Sequence, residues 1–341
     1  MIVGGGIAAT FAAIKAKKSG AGVTIVDKGT VGRSGLSPFF GGYSIFKESS
    51  SLTRDQYVES VSEAGKYINR RDYLDMFMDD SADIADEFLS WGVGVDLSKE
   101  GGHGSKYRGQ ILKNGIRLIE RTMITELFKK DGKVAGAIGF PMEGDRAFII
   151  KAKAVVLCSG SGALKTPGFP CSSITHDGDA MAYRIGAEIT GKEFNTFHWT
   201  HWENPADAYG NWKSILFEAI RPSAYRPGGH AMSATVISRQ VHNGDVPFMM
   251  EEVDFAPPGT GTPGLPFIWG SAAGMSAHKC EGIFPKGTKC ASSIPGLFAA
   301  GDALFTGGAA YSGGPGASSS LSAVQGARAG RYAAEYAKEN R

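Results

Sequence analysis

Three small residues near the start of this chain have the spacing of a turn that holds phosphate. Gly4, Gly6 and Ala9 form a G-x-G-x-x-A pattern between a short apolar run and an Ala-rich segment. Gly4 permits a tight strand-to-helix turn, Gly6 lets the backbone approach a pyrophosphate, and Ala9 keeps the helix close to the sheet. The helix N-terminus then presents N–H groups and a positive dipole to the phosphates.

Acidic residues complete this pattern near both ends of the chain. Asp27 ends the next apolar run, 18 positions after Ala9, where a partner for a ribose hydroxyl is expected. Near the other end, Gly301 and Asp302 follow an apolar segment, and an acidic residue beside a Gly turn is suited to hold a ribityl chain. A nicotinamide cofactor needs only the first half. The two halves, about 290 residues apart, predict an FAD site to which the chain returns at its end.

The elements that must position these residues alternate between strands and helices. The pattern predicts a helix over 8–18, a strand over 22–26 and mostly helix over 53–91, whereas the Gly-rich segment 101–109 is interpreted as a linker. No metal site is predicted, because the aspartates of the helical stretch lack the spacing of a metal loop and indicate a solvated face: Asp75, Asp79, Asp80, Asp83 and Asp86.

The middle of the chain predicts strands joined as hairpins, over 115–121, 123–130, 133–140 and 148–152, with an Asp131-Gly132 turn between the second and the third. A buried strand over 154–157 then enters a second Gly turn, where Ser159 and Gly160 are predicted to contact the cofactor. Asp177 precedes a predicted helix over 180–186. A last helix is predicted over 319–338.

Composition excludes several classes of protein. The 341 residues are 42% apolar and 21% charged, which is ordinary for a globular chain, and the net charge of +2 is too small to favour nucleic acid or an anionic membrane. No apolar run is long enough for direct membrane insertion, and no signal peptide is recognisable. No C-x-x-C pair occurs, so we expect a reduced, cytoplasmic protein without zinc or iron–sulfur ligands at its four cysteines, Cys158, Cys171, Cys280 and Cys290. Cys158 is predicted to be a core residue.

The fold class expected is α/β, a Rossmann-like FAD-binding domain with a small inserted α+β capping domain. Residues 1–200 form its first part, 201–270 the capping and substrate domain, where Pro, Trp, His and Asn become more frequent, and 271–341 the return segment with the final helix. Only three residues precede Gly4, which is short for a strand, so the sequence predicts a chain that is truncated or begins at an internal Met.

Taken in order, these motifs identify a family resemblance. The chain resembles the flavoprotein subunits of the succinate dehydrogenase and fumarate reductase family, which includes aspartate oxidase and the adenylylsulfate reductase flavoprotein. The resemblance spans nearly the whole chain. It rests on GGGIAA, VTIVDK ending in Asp27 and Lys28, RSGLSPFFGG, THDGDAMAYRIGAEITGKEFNTFHWT ending at Thr200, IPGLFAAGDA and GGPGASSSLSAVQGARAG.

The resemblance implies roles at the matching positions. Lys28 and Asp177 join Gly4, Gly6 and Asp27 as expected cofactor contacts, with the last three at the AMP half. Ser34, Gly41 and Gly42 would line the flavin, and Asp302 would bind the ribityl hydroxyls. The backbone N–H groups of Ser318 and Ser319 would face the flavin C2 carbonyl, where a helix N-terminus stabilises the negative charge of a reduced flavin.

Two departures from the family pattern change the expected chemistry. Covalent members carry a His in a Ser-His-Thr loop, whereas this chain has Gly35 there, so the FAD is expected to be non-covalent. Fumarate enzymes hold a dicarboxylate with arginines; here the segment ending at Arg239 keeps only that Arg, and no other occurs before Arg328. Because Arg suits bidentate carboxylate recognition, a standard fumarate reductase is not expected.

Substrate contacts are predicted from a cluster of His and Arg in and near the cap. The best candidates are His198, Arg226, His230, Arg239 and His278, with Arg221 as a further charge partner. The leading hypothesis is hydride transfer between FAD and a small anionic or unsaturated substrate at the cap interface. Two alternatives remain: an adenylylsulfate-reductase-like electron-transfer subunit with an iron–sulfur partner, and an electron-relay subunit whose substrate site has decayed.

Overall fold

The computed structural model describes residues 1–39, 44–50, 52–64, 67, 69–93, 104–162, 174–192, 196–198, 200–201, 248–250, 267–269, 276–278, 282–305 and 317–340. In chain order the described α-helices are α1 Ile7–Lys18, α2 Arg54–Ala64, α3 Arg71–Ser90, α4 Gly104–Lys113, α5 Asp177–Arg184 and α6 Ala317–Glu339. The described strands are β1 Ile2–Val3, β2 Thr24–Val26, β3 Arg117–Ile119, β4 Thr122–Lys130, β5 Lys133–Pro141, β6 Phe148–Lys151, β7 Val155–Leu157, β8 Thr196–His198, β9 Thr200–His201, β10 Phe248–Met250, β11 Phe267–Trp269, β12 Ser276–His278 and β13 Leu297–Ala299.

A five-stranded parallel sheet forms the centre of the molecule. Its strand order is β13-β7-β1-β2-β3, and each neighbouring pair runs parallel. Strands β13, β7 and β1 are fully buried, as expected when both faces of a parallel sheet are covered. The last strand in the chain, β13, pairs with β7, so the carboxyl-terminal part of the chain completes the sheet that its first residues begin.

The prediction that residues 115–121 start a hairpin is wrong. Only Arg117–Ile119 are extended, and β3 joins the edge of the parallel sheet beside β2. The Asp27 N–H donates to the Ile119 carbonyl at 2.9 Å and extends this pairing past the end of β2. A short apolar run is compatible with either kind of sheet, and the helix that precedes it, α4, makes the parallel crossover possible.

The antiparallel hairpin that follows is confirmed. β4 and β5 pair across the Asp131-Gly132 turn, where both residues have positive φ, 53° and 76°. This is the conformation that a two-residue type I′ hairpin requires. β6 then adds to β5 and completes a three-stranded sheet.

A second correction concerns the predicted linker over 101–109. Helix α4 begins at Gly104 and buries Tyr107 and Ile111, which lie one helical turn apart. Gly104 lies against Gly32, and a Cβ on Gly32 would come within 2.1 Å of the Gly104 carbonyl oxygen. Glycine therefore allows the two backbone segments to pack closely at this point, whereas the Gly-rich composition had indicated a linker.

Helices α1 and α6 pack side by side in a parallel arrangement. A Cβ added at Gly326 would lie 2.3 Å from the Ala8 carbonyl oxygen, and one at Gly330 would lie 2.1 Å from that of Ala12. The two glycines are four residues apart, as are their partners, so the helices keep the same register over this turn. Their N-termini consequently point to the same edge of the sheet.

The acidic face predicted on α3 is only partly solvated. Asp80 pairs with Arg328 of α6 through two hydrogen bonds of 2.5 and 3.1 Å, and its side chain is 29% exposed. Asp75 and Asp79 pair with Arg54. Phe88, further along α3, meets Phe11 edge to face with ring centroids 4.8 Å apart, and this contact joins α3 to α1.

Short strands in the predicted cap, 201–270, and in the segments that flank it form two further sheets. β9, β11 and β10 pair antiparallel in the order β10-β11-β9, and β12 pairs antiparallel with β8. Cys158 is buried, as predicted for a core residue. Among the residues described, no helix has the length and apolar character needed to cross a membrane.

We expect Gly330→Ala to destabilise the protein by about 2 kcal/mol, because the new methyl group would push α6 off the α1 backbone. The measurement is thermal and urea unfolding of the FAD-loaded protein. Gly109→Ala is the matched control: Gly109 is exposed within α4 with no atom near its Cβ position, so the same substitution should stabilise by about 0.5–1 kcal/mol. Equal stability of the two variants would contradict the close contact.

Candidate functional site

Four chain segments meet at the carboxyl edge of the parallel sheet. The turn at Gly4 follows β1, Asp27 follows β2, Ser159 follows β7 and Gly301 follows β13. Because parallel strands end on the same side, residues that are up to about 290 positions apart become neighbours. This is the edge at which open α/β sheets bind ligands.

The first turn has the shape that a phosphate site needs. Gly4 has φ +106°, and a Cβ there would lie 2.1 Å from the Cys158 carbonyl oxygen, so only glycine fits. Gly6 precedes the first residue of α1, and a Cβ on it would meet the Ser37 hydroxyl at 2.6 Å. Ser37 Oγ also accepts the Ile7 N–H at 3.0 Å. A small hydroxyl thus lies at the N-terminus of α1, where the dipole favours an anion.

Asp27 lies almost buried beside this turn, 6% exposed. Its Oδ1 accepts the Gly29 N–H at 2.7 Å. Burial raises the pKa of the Asp27 carboxyl, and the charge of Glu120 adds to this, whereas the N–H groups of Gly29 and Gly5 and the Lys28 ammonium act against it. The carboxylate is therefore poorly solvated and is suited to accept a hydroxyl donor.

Two charged residues that the sequence did not single out as site residues hold the loop after β2. Glu120 accepts the Val31 N–H at 2.8 Å and forms a two-pronged ion pair with Arg108 of α4. The Arg108 hydrogen bonds hold the pKa of Glu120 below its usual value, despite its partial burial. No local motif marks this pair, because its members belong to a helix misjudged as a linker and to the end of a misassigned strand.

Lys28 and Asp177, both predicted cofactor contacts, lie together. Lys28 Nζ donates to Asp177 Oδ2 and to Thr175 Oγ1, each at 2.9 Å, and the Thr175 hydroxyl donates to the same carboxylate oxygen at 2.5 Å. Burial opposes ionisation of Asp177, but the hydroxyl and the ammonium outweigh it and lower its pKa. The cluster ties the start of α5 to the end of β2.

Ser159 carries a hydroxyl that has no hydrogen-bond partner in the part of the chain that the structure describes. Its Oγ is shielded from solvent and lies against Gly178, where a Cβ would approach it to 1.9 Å. An unpaired buried hydroxyl costs about 1–3 kcal/mol, which a ligand oxygen at this edge would recover. Gly160 follows with φ +73°, so the chain turns sharply at the predicted contact.

The return segment brings a second turn and a second helix N-terminus. Gly301 has φ +68°, and the position of its missing Cβ is 3.0 Å from Ala8 Cβ, so this turn lies directly on α1. Asp302 follows in a 3₁₀ turn. Since Gly326 is level with Ala8, α6 begins about eight residues, or about 12 Å, beyond the start of α1 on the same side. Ser318 and Ser319 belong to that first turn.

A buried carboxylate at the start of α5 was not predicted. Asp179 is 4% exposed; its Oδ2 pairs with His176 Nδ1 at 2.9 Å and with the Lys192 ammonium. His176 has φ +55°, an uncommon conformation outside glycine. The cluster fastens Lys192, from which the chain leads into β8, to the FAD-binding part. His176 and Asp179 belong to the THDGDAMAYR stretch of the family resemblance, but their contact with Lys192 depends on tertiary structure.

The predicted substrate residues are only partly described. The backbone register places His198 opposite Ser276 and His278 opposite Thr196, so two candidates about 80 positions apart share one β-ladder. Gly41, Gly42, Arg226, His230 and Arg239 lie outside the described residues. Ser34, predicted to line the flavin, caps its own turn: its hydroxyl accepts the Thr30 N–H and donates to the Thr30 carbonyl, at 2.8 and 3.1 Å.

These features fit a dinucleotide with two binding halves. Gly4 permits the tight turn, Gly6 leaves room for phosphate, Asp27 offers an acceptor, and Ser159 carries a hydroxyl without a partner among the described residues. Two parallel helices begin about 12 Å apart along their axes, which suits one N-terminus for phosphate and the other for a second, distant group that carries negative charge. Their arrangement matches the FAD predicted from the sequence.

We expect Gly6→Ala to keep the fold but to raise the Kd for FAD at least about tenfold, because its methyl group would meet only the movable Ser37 side chain and would block a phosphate. Calorimetric FAD titration, with thermal melts of the apoprotein, checks both parts. Gly4→Ala is the contrasting variant, because its methyl group clashes with backbone and should prevent stable folding. Unchanged FAD affinity in Gly6→Ala would contradict the phosphate assignment.

Asp27→Asn should raise the melting temperature of the apoprotein at pH 7. Because the pKa of Asp27 is raised on folding, wild-type stability falls as pH increases from the usual aspartate value of 3.8 through the raised one. The difference between variant and wild type should therefore be small below pH 3.8 and widen toward neutrality. Melting curves across that range provide the test; a gap that narrows as pH rises would refute the argument.

Comparison with known proteins agrees with this site. The family model described as FAD binding domain matches residues 1–114 and 107–246. One subunit of the CoM/CoB fumarate reductase of Methanothermobacter marburgensis is 24% identical over 290 residues, which cover 71% of this chain and 51% of that protein. L-aspartate oxidase of Streptomyces coelicolor is 25% identical over 264 residues, covering 69% and 44%. The chain spans about half the length of these curated relatives.

A solved structure shares the fold. A mutant of the quinol fumarate reductase of E. coli superposes with a TM-score of 0.69 at 17% identity, over 99% of this chain and 70% of that one. At this identity the likeness shows the architecture alone. The family match, together with the glycine turn, the buried carboxylate and the returning segment, shows that the chain belongs to the FAD-binding flavoprotein family of succinate dehydrogenase and fumarate reductase.

Proposed function

We propose that this FAD-dependent oxidoreductase moves a hydride between non-covalently held FAD and a small anionic or unsaturated substrate bound beside the cap strands. The observation that carries the proposal is the convergence of four strand ends and two helix N-termini on one edge, next to the segment that leads into β8. FAD, when bound, supplies the hydride chemistry at its flavin ring. Binding of the cofactor and the substrate, and transfer of the proton, are the roles of the residues of the chain.

The binding roles follow from contacts at this edge. Asp27 accepts from a ribose hydroxyl, and the backbone at Gly6 and Ile7 faces the phosphates. Asp302, in the return turn, holds the ribityl chain. The first turn of α6, with Ser318 and Ser319, stabilises the negative charge that a flavin gains on reduction. Gly35 occupies the place where covalent members carry a His, which supports non-covalent binding.

Proton transfer is assigned to the β8–β12 ladder. His198 and His278 belong to its two strands, and His is the side chain whose charge changes near neutral pH. Arg226, His230 and Arg239 are proposed to complete the substrate site from the cap, where a guanidinium is suited to pair with a substrate carboxylate. The loss of the family's usual arginine pair supports a substrate other than a plain dicarboxylate.

A second candidate is an electron-transfer subunit of a larger complex. It is favoured by the name of one relative, which is a single subunit of its fumarate reductase, and by the absence from this sequence of a cysteine motif for its own iron–sulfur cluster. In that case electrons reach the FAD from an iron–sulfur partner, as proposed for an adenylylsulfate-reductase-like protein. The extreme case of this second candidate is an electron-relay subunit whose own substrate site has decayed.

The test is anaerobic. The bound flavin is reduced, acceptors are added one at a time, and flavin absorbance is followed; fumarate, other enoates and adenylylsulfate form the panel. We expect reoxidation by an enoate or another small anion, slowed by on the order of 10²-fold or more in His198→Gln while FAD stays bound.

Each outcome has a definite meaning. Rapid reoxidation by fumarate would show that cap arginines replace the lost pair, and Arg239→Lys should then raise KM. Reoxidation by adenylylsulfate favours the second candidate. No reoxidation by any acceptor, with FAD clearly bound, would rule out the stand-alone reductase, and purification with an iron–sulfur partner would then support the electron-relay subunit.

A further inference from the structure

Gln325 is a buried polar residue whose side-chain oxygen has a hydrogen-bond partner and whose side-chain nitrogen has none among the described residues. It is 0% exposed, and its Oε1 accepts the Gly301 N–H at 2.9 Å. Its Nε2 is also buried and has no hydrogen-bond partner among the residues described. The amide orientation is fixed by this contact, because only the oxygen is able to accept an N–H.

The position of Gln325 in α6 places it between the two halves of the site. The next residue, Gly326, lies against Ala8, so Gln325 is level with the first turn of α1. Gly301, which it holds, begins the turn that carries Asp302. The two heteroatoms of one amide are roughly 2.3 Å apart, so Nε2 lies within about 5 Å of the Gly301 nitrogen.

The unpaired Nε2 calls for a physical explanation. A buried donor without an acceptor costs about 1–3 kcal/mol, and an apolar side chain of similar size would avoid that cost at this place in the helix. The residue lies level with the first turn of α1 and is bonded to the Gly301 turn, the two places where the proposed function puts oxygens of the cofactor.

We propose that the Gln325 amide N–H₂ donates a hydrogen bond to an oxygen in the diphosphate–ribityl part of FAD. Gln325 then acts as a positioning residue: one end fixes the Gly301–Asp302 turn and the other end fixes the cofactor. Binding of FAD completes the hydrogen bonds of α6 and locks the return segment against α1. The inference rests on the assignment of FAD to this edge, and it assigns a role to a residue that was given none from the sequence.

The direct test uses the side-chain amide signal of Gln325. The chain has four glutamines, so glutamine-selective ¹⁵N labelling gives few signals, and loss of one signal in Gln325→Leu identifies it. We expect this signal to shift when FAD is added to the apoprotein. ADP and riboflavin separate the two sources of oxygen: a shift with ADP indicates the diphosphate, and a shift with riboflavin indicates the ribityl chain.

Affinity provides the second test. Gln325→Leu should raise the Kd for FAD about tenfold, a loss of about 1.4 kcal/mol. Val324→Ala is the matched control, because Val324 is the adjacent residue in α6, is also fully buried and makes no polar contact, so it should lower the melting temperature without changing Kd. The dependence of melting temperature on FAD concentration yields Kd even where the apoprotein is unstable.

Two results would overturn the proposal. The first is an unshifted Gln325 signal in wild-type protein that binds FAD; this removes the Gln325 contact and leaves the proposed function intact. The second is wild-type FAD affinity in Gln325→Leu. Failure of the wild-type protein to bind FAD would refute the proposed function together with this inference.

Discussion

The backbone contact between α1 and α6 is the constraint on which the rest of the site depends. Gly326 and Gly330 let α6 approach the carbonyl oxygens of Ala8 and Ala12 closely enough that any Cβ would clash. This contact holds the two helices parallel, so their positive ends face the same edge of the sheet. It also brings the chain back to its start, and it leaves Gly301 directly on α1. An antiparallel or looser pairing would separate the two halves of the cofactor site.

Charge at this edge is organised in pairs that tie loops to the sheet. Arg108 and Glu120 hold the loop after β2, and Lys28 with Asp177 joins that region to α5. Asp27 is the exception, since burial raises its pKa by more than the nearby Lys28 charge lowers it. A poorly compensated carboxylate beside a phosphate turn is destabilising in the free protein. An unfavourably buried carboxylate of this kind is expected where a residue serves ligand binding and not stability.

The unsatisfied atoms follow the same logic. Ser159 Oγ, Asp179 Oδ1 and Gln325 Nε2 are buried without a hydrogen-bond partner among the described residues, and all three belong to segments at or beside the carboxyl edge of the sheet. Three further unpartnered atoms belong to Asn69, Tyr107 and Tyr336. The three at this edge are the ones that a ligand bound there would be placed to satisfy.

The sequence by itself determined the cofactor class, the family and the main α/β architecture. Those conclusions depend on glycines, acidic residues and apolar runs whose spacing carries the information locally, as at Gly4, Gly6 and Asp27. Tertiary structure decided what spacing does not carry. It placed residues 117–119 in the parallel sheet, turned the Gly-rich segment before Lys113 into a helix, paired Asp80 with Arg328, and joined His198 to His278 through one β-ladder. Each of these depends on a partner far away in the chain. A strand's neighbour, a glycine's contact and a charge's counter-ion are properties of the packed molecule, so no local pattern was able to supply them.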